Sequence, residues 1–422
     1  MRKIICALIA LAWATAAFGA DNFFLKSGDR VVFYGDSITD QRLYTVLTET
    51  YVVTRYPNLN ATFIHSGWGG DKVTGGGGGP IDLRLQRDVL GYKPTVMTIM
   101  LGMNDGRYQP PEPEKDKAFF TGYEYIVNTM RKADPGIRII AIQPSPYDDV
   151  TRPPLFPGGY NGVLMNYSRW IADYAKQNNL TVADFNTPMV AMLEKANATD
   201  PAAAEKILPD RVHPAISGHL IMAEQLVKAW NGRPVVASVS IDASAETPKL
   251  ESADHAKISD LKGGSGVSWT EMDDALPLPF AQWTQGNAGA LMALTIRSSD
   301  VTEALNQEPL KVSGLKPGNY TLQIDGKPVG TFSAADLAQG VNLATLDTPM
   351  SQQAAEVHSL TVAHTTIHND RWRNIQVPLA KYNLSEAKPA MDQLDSLETA
   401  LIAKQREAAQ PRAHTFQLVP GA

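Results

Sequence analysis

The sequence predicts an α/β fold: a three-layer α/β/α domain, then a β-rich second domain and a C-terminal helix. Three observations carry this. Between Val31 and Trp230, short β-branched or aromatic runs alternate with amphipathic helical stretches. After Trp230 the pattern changes to short alternating runs punctuated by turn residues, with no long helix expected before Ser385. The length of 422 residues suits two or three domains at about 150 residues each.

The first strand candidate is Val31–Tyr34, followed by Ala61–His65, Thr95–Leu101, Ile137–Ile142 and Leu180–Ala183. Most are almost continuously apolar, as strands buried on both faces of a parallel sheet are. Helical patterns fall at Leu43–Tyr56, Ile81–Leu90, Lys117–Ala133, Gly162–Gln177 and Ser217–Trp230. Such alternation is the signature of strand–helix–strand units. Asn231-Gly232-Arg233-Pro234 reads as a linker, so the first domain is expected over 20–234 and the β-rich domain over 235–378. Within the latter, Asp325-Gly326 between Tyr320–Ile324 and Lys327–Phe332 is a strong hairpin signal. Residues 379–422 are expected to form a helical segment. Its helix, Ser385–Ala409, carries Leu394, Leu397, Leu401 and Ile402 on one face. Alone it would be marginal, so it should pack on the rest of the chain.

Residues 1–19 read as a secretory signal peptide. Arg2 and Lys3 precede an apolar run, Ile4–Phe18, too short to span a bilayer, and small residues follow at a cleavage spacing. The single cysteine, Cys6, lies inside this signal. The mature chain therefore has no disulfide, no thiol nucleophile and no thiolate metal site. The expected location is bacterial periplasm or secretion, with no membrane span in the mature protein. The composition, 44% hydrophobic and 19% charged, is globular, and 38 basic against 44 acidic residues give a formal charge of −6. A mildly acidic chain without a basic run argues against nucleic acid as a partner.

In parallel α/β sheets the functional loops follow the C-terminal ends of the strands. Polar, reactive residues cluster there: Gly35-Asp36-Ser37, Ser66–Asp71 and Gly102-Met103-Asn104-Asp105, with Asp210-Arg211-Val212-His213 ahead of the last helix. A serine hydroxyl is a weak nucleophile until a base removes its proton. His213 can be that base, and Asp210, three residues earlier, can reach its second ring nitrogen and fix the tautomer. The Ser37 backbone N–H, a glycine N–H of the second loop and the Asn104 side-chain amide can serve a developing oxyanion. Each loop alone also reads as an ordinary turn or helix cap.

These four ordered blocks resemble those of the SGNH (GDSL) hydrolases, over roughly residues 20–232. Ile38 stands where the family name has Leu. The resemblance implies a flavodoxin-like domain and a serine esterase. Ser37, Asp210 and His213 are then catalytic, and Ser37, Gly70 and Asn104 form the oxyanion hole. It implies neither cofactor nor metal, so activity is expected to survive chelation. The expected partner is an ester substrate, an acetylated glycan; export and the appended domain favour removal of O-acetyl groups from a polysaccharide. A broad short-chain carboxylesterase or lipase, and a non-catalytic carbohydrate-binding protein on a hydrolase fold, remain the alternatives. No oligomeric state is assigned.

Weaker signals complete the reading. The run Gly75–Gly79 lacks the Lys-Ser/Thr of a phosphate loop and is expected to be a flexible rim element beside the oxyanion glycine. His364 and His368, four apart, lack the Glu of a zinc-protease motif and are expected to be structural. Trp68, Tyr147 and Trp372 are candidate sugar-stacking rings, with packing the commoner fate.

Overall fold

The computed structural model describes residues 22–421. The expected signal peptide and Cys6 lie outside the described residues. Five parallel strands form the central sheet: β1 (Arg30–Gly35), β2 (Thr62–Gly67), β3 (Val96–Met100), β4 (Arg138–Gln143) and β5 (Thr181–Asp184). Their order is β2-β1-β3-β4-β5. All five stand where the apolar runs place them. Every residue of β3 is buried, and β1 and β2 are buried from their second residue on, which is why these runs lack alternation.

The register positions the site. Gly35 pairs with Gly67 on one side and Met100 on the other, so β2, β1 and β3 end level. The strand order reverses direction at β1, and such a switch point opens a crevice at the carboxyl ends of the strands. The loops carrying Ser37, Gly70 and Asn104 therefore emerge side by side.

Helices flank the sheet: α1 (Ser37–Asp40), α2 (Leu43–Arg55), α3 (Ile81–Asp88), α4 (Pro113–Ala133), α5 (Gly159–Asn178), α6 (Thr187–Thr199) and α7 (Ile216–Ala229). α2 packs with α7, and α4 with α5. α6 is additional to the sequence expectation. Its buried Met189, Met192, Leu193 and Ala196 keep a helical spacing that the flanking Pro188 and Pro201 obscure. Among the described residues no helix is long and apolar enough to cross a membrane.

The β-rich region holds two sheets. One is antiparallel and five-stranded, and contains the expected hairpin, Asn319–Ile324 with Lys327–Ser333. Asp325 and Gly326 turn it with φ of 51° and 76°, the left-handed pair that matches strand twist. The second sheet has four strands and pairs Ser238–Asp242 with Pro309–Ser313 in parallel.

Three expectations need correction. The β-rich region does contain a long helix, α8 (Pro349–Asn369). Its buried face begins with Met350, Ala354 and Val357 but continues with Thr361, His364, Thr365 and His368, so the apolar period fades after two turns and does not mark a long helix. The C-terminal segment 379–422 is not helical throughout. After α9 (Ala387–Ala408), the strand His414–Pro420 lies between Val267–Asp273 and Asn319–Ile324 in the five-stranded sheet. Leu397 does not join the packed face of α9; it is 46% exposed, while Gln405 is buried.

The two cores interlock. Leu278, Phe280, Met292, Leu294, Val301 and Leu305 pack into the core of the parallel sheet, and Val53 of α2 packs into the other. α8 lies on α2 and α9, and Arg406 of α9 donates to the carbonyls of Leu59 and Ala61 ahead of β2.

Candidate active site

Three strand-end loops and the loop ahead of α7 build the site. β1 ends at Gly35, and Asp36 caps α1, its carboxylate accepting from the Ile38 N–H at 3.0 Å. That turn places Ser37, half-buried, at the start of the helix, where a backbone N–H has no intrahelical acceptor. Burial pushes the Asp36 carboxyl up to about 8, against the opposing pull of the Ile38 N–H it accepts from.

The expected triad is assembled. Ser37 Oγ lies 2.7 Å from His213 Nε2, and His213 Nδ1 lies 2.7 Å from Asp210 Oδ2. Asp210 Oδ1 accepts from the backbone N–H groups of Val212 and His213 at 3.0 and 2.8 Å. Partial burial acts to raise the Asp210 carboxyl, but these N–H groups and the His213 ring outweigh it and hold it below the usual range. A carboxylate on Nδ1 fixes the proton there and leaves Nε2 free to accept from a hydroxyl.

The loop after β2 carries Trp68-Gly69-Gly70-Asp71. Gly70 adopts φ of +76°, a conformation that strains other residues, and this turn sets Asp71 inward. Gly69 N–H donates to Asp40 Oδ2 at 3.1 Å. Asn104, after β3, donates from Nδ2 to the Asp71 carbonyl at 3.1 Å and accepts on Oδ1 from the Tyr108 hydroxyl at 3.0 Å. With Oδ1 so engaged, the amide orientation is fixed and the second Nδ2 hydrogen is available to a ligand. The structure thus brings every site residue expected from the sequence, Ser37, Gly70, Asn104, Asp210 and His213, to one end of the sheet.

The run Gly75–Gly79 is a packed ribbon rather than a flexible rim. Gly75–Gly76 pairs with Gly79–Pro80. A Cβ on Gly78 would lie 2.5 Å from Arg84 Cδ and 2.7 Å from Trp68 Cδ2, so only glycine lets this backbone lie against the second loop. Tyr147 and Trp372 are buried, and neither offers a face to a sugar. Trp68 is half-buried, with the Arg373 guanidinium 3.4 Å from its ring centroid.

His364 and His368 are buried and paired with carboxylates. His364 Nε2 meets Glu49 Oε1 at 2.7 Å, and Nδ1 of His364 and of His368 lie 3.6 and 3.5 Å from Glu398. Glu49 also meets His65, at 3.3 Å. This is an ionic seam between α2, α8 and α9. Among the described residues no group of three or more His, Cys, Asp or Glu is arranged to hold a metal ion.

Sequence reasoning missed Tyr108, Asp40, Arg84 and Arg373 around the site. Tyr108 carries one signal, its position four residues after Asn104. It and Arg107 both have positive φ, 56° and 55°, which the sequence does not announce. Arg373 comes from a distant segment, so local pattern could not place it.

A parallel α/β sheet with these four loops at its switch point defines an ester-hydrolysing enzyme. Residues 33–221, the α/β domain, match the GDSL-like lipase/acylhydrolase family, in line with the resemblance to the SGNH (GDSL) hydrolases. It is 25% identical over 223 residues to an acetylxylan esterase of Geobacillus stearothermophilus, a match covering 48% of this chain and 94% of that protein. It is also similar to the solved structure of a gut microbial diltiazem-metabolizing enzyme, with 27% identity and a TM-score of 0.81. That likeness covers 95% of this chain and 100% of the other.

Proposed function

We propose that this is an exported serine esterase that removes O-acetyl groups from a polysaccharide or glycan through an acyl-enzyme on Ser37. The observation that carries the chemistry is the unbroken relay from Ser37 Oγ through His213 to Asp210, with both contacts at 2.7 Å.

Ser37 Oγ attacks the ester carbonyl carbon as His213 Nε2 takes its proton. Asp210 stabilises the imidazolium so formed. The carbonyl π electrons move to oxygen, which accepts from the Ser37 and Gly70 N–H groups and Asn104 Nδ2. Collapse breaks the bond to the leaving alkoxide, which takes the proton from His213. Water then attacks the acyl-enzyme, giving its proton to His213, and the second collapse returns it to Ser37. Acid and regenerated serine are the products, and no cofactor enters the balance.

The glycan assignment draws support from the acetylxylan esterase likeness across the α/β domain and from the secretory reading of residues 1–19. A second reading, a broad short-chain esterase, is favoured by the likeness to the diltiazem-metabolizing enzyme along nearly the whole chain. The test is acetate release from acetylated xylan, pectin, mannan and acetylated monosaccharides, with aryl acetate and aryl octanoate as controls. Ser37-dependent release from one glycan class, faster than from aryl acetate, supports the first reading. Turnover of aryl esters alone supports the second.

A further inference from the structure

The β-rich side of the molecule reaches the oxyanion loops through two consecutive residues. At the end of α8 the backbone widens into a π-helical turn, Asp370–Gln376. Such turns are rare and occur frequently at functional sites. Here the turn aims Trp372 and Arg373 at the α/β domain.

Trp372 starts the first thread. Its buried indole Nε1 donates to Asp88 Oδ1 at 2.7 Å. Asp88 is ion-paired to the fully buried Arg84. Arg84 Nε donates to Asp71 Oδ2 at 2.6 Å, and Nη2 to the Ser66 carbonyl at 2.8 Å. Asp71 directly follows Gly70, and its carbonyl holds Asn104 Nδ2. Both non-serine oxyanion donors therefore hang on a residue whose carboxylate is anchored by Arg84. Buried ionic groups keep one geometry only while their partners are complete.

Arg373 starts the second. Its guanidinium stacks on Trp68 at 3.4 Å and lies 3.6 Å from Asp40 Oδ2. The same oxygen accepts from the Gly69 N–H. Asp40 is three residues after Ser37, and Trp68 is two before Gly70. A planar cation on the indole and beside the carboxylate presses this loop against α1 from outside.

We propose that Trp372 and Arg373 are positioning residues for the oxyanion hole, so that the β-rich side completes the active site and is not a detachable appendage. This rests on the serine esterase reading above. They touch no reacting atom and act through Asp71, Trp68 and Asp40.

The test uses the full chain with Arg373→Ala, Arg373→Lys and Trp372→Phe. Readouts are kcat and KM on an aryl acetate, thermal midpoint, and the kcat/KM ratio between the aryl acetate and its thionoacetate. Sulfur accepts hydrogen bonds weakly, so the oxygen-to-sulfur ratio reports the oxyanion donors. Arg373→Ala and Trp372→Phe are expected to lower kcat about tenfold or more, with KM changed less than threefold. The oxygen-to-sulfur ratio falls with kcat, and Arg373→Lys lies between Arg373→Ala and wild type. Wild-type kcat in folded Arg373→Ala and Trp372→Phe would overturn the proposal, as would a kcat loss with an unchanged ratio. Trp372→Phe keeps an aromatic ring while removing the Nε1 donor to Asp88, and decides alone if Arg373→Ala does not fold. Ser37→Ala separates the premises: retained activity there sinks the esterase reading, whereas its loss beside unaffected Trp372→Phe sinks only the positioning role.

Discussion

Replacing Asn104 by Ala removes the one donor of the proposed oxyanion hole that a substitution can delete cleanly, since the other two are backbone N–H groups. In the resting enzyme, the change removes the Nδ2 bond to the Asp71 carbonyl and the acceptor for Tyr108. Tyr108 is exposed enough for water to replace its partner, so the ground-state loss is one hydrogen bond, about 1 kcal/mol. In the transition state the loss is a donor aimed at developing charge, about 2.7–4 kcal/mol, or about 10²- to 10³-fold in kcat. The two effects separate experimentally. Steady-state kinetics on an aryl acetate should show the fall in kcat with KM nearly unchanged, and thermal melting should move by only a few degrees. A kcat within threefold of wild type would refute the oxyanion assignment. A loss confined to KM would show that Asn104 binds substrate and transition state equally.

Three further outcomes are expected. Gly78→Ala, which puts a Cβ 2.5 Å from Arg84 Cδ, should lower activity at least tenfold with the bulk of the fold retained, measured as kcat beside circular dichroism; wild-type turnover would mean the glycine ribbon does not brace the second loop. His364→Ala should destabilise by about 3–5 kcal/mol by leaving Glu49 buried with an incomplete set of partners. Beside Glu49, and despite burial, His364 is raised to about 10. Its contribution is complete below about pH 6.5 and is lost as pH rises through 10. His65, lowered by burial to about 4, contributes above about 6.5 and loses that contribution as pH falls toward 4. Urea midpoints should therefore peak near neutrality, with the wild-type advantage over His364→Ala shrinking by pH 10; a pH-independent gap would contradict the ionic seam. EDTA treatment should leave aryl acetate turnover within experimental scatter of the untreated enzyme, and a large, metal-restorable loss would reopen the question of a metal centre.

Much of the α/β domain was legible because its physics is local. Strands such as Val96–Met100 are buried on both faces, so continuous apolar runs mark them, and the reactive residues sit directly after them. The proposed site was legible in part for the same reason: Ser37 and Asn104 follow strands directly and Asp210 and His213 share one loop, whereas the choice of Gly70 over Gly69 came from the resemblance to the SGNH hydrolases. What pattern could not show is long-range and polar. The second half of α8 buries Thr361 and His364 against Glu49 of α2 and Gln405 of α9, a polar continuation of the short apolar period of Met350, Ala354 and Val357. His414–Pro420 does alternate, with Phe416 and Leu418 buried, but its partners lie about 90 to 150 residues earlier and nothing nearby marks it as a central strand. Arg373 reaches Trp68 across about 300 residues of chain, a contact that only the packing of α8 on α2 creates.

The most direct measurement is the mass of the intact protein quenched during turnover of an aryl acetate, for wild type and Ser37→Ala. The account predicts an acetyl adduct on the wild type that maps to Ser37, with turnover lowered by several orders of magnitude in Ser37→Ala while the fold is retained. Undiminished turnover by Ser37→Ala, or an adduct mapping to another residue, would contradict it.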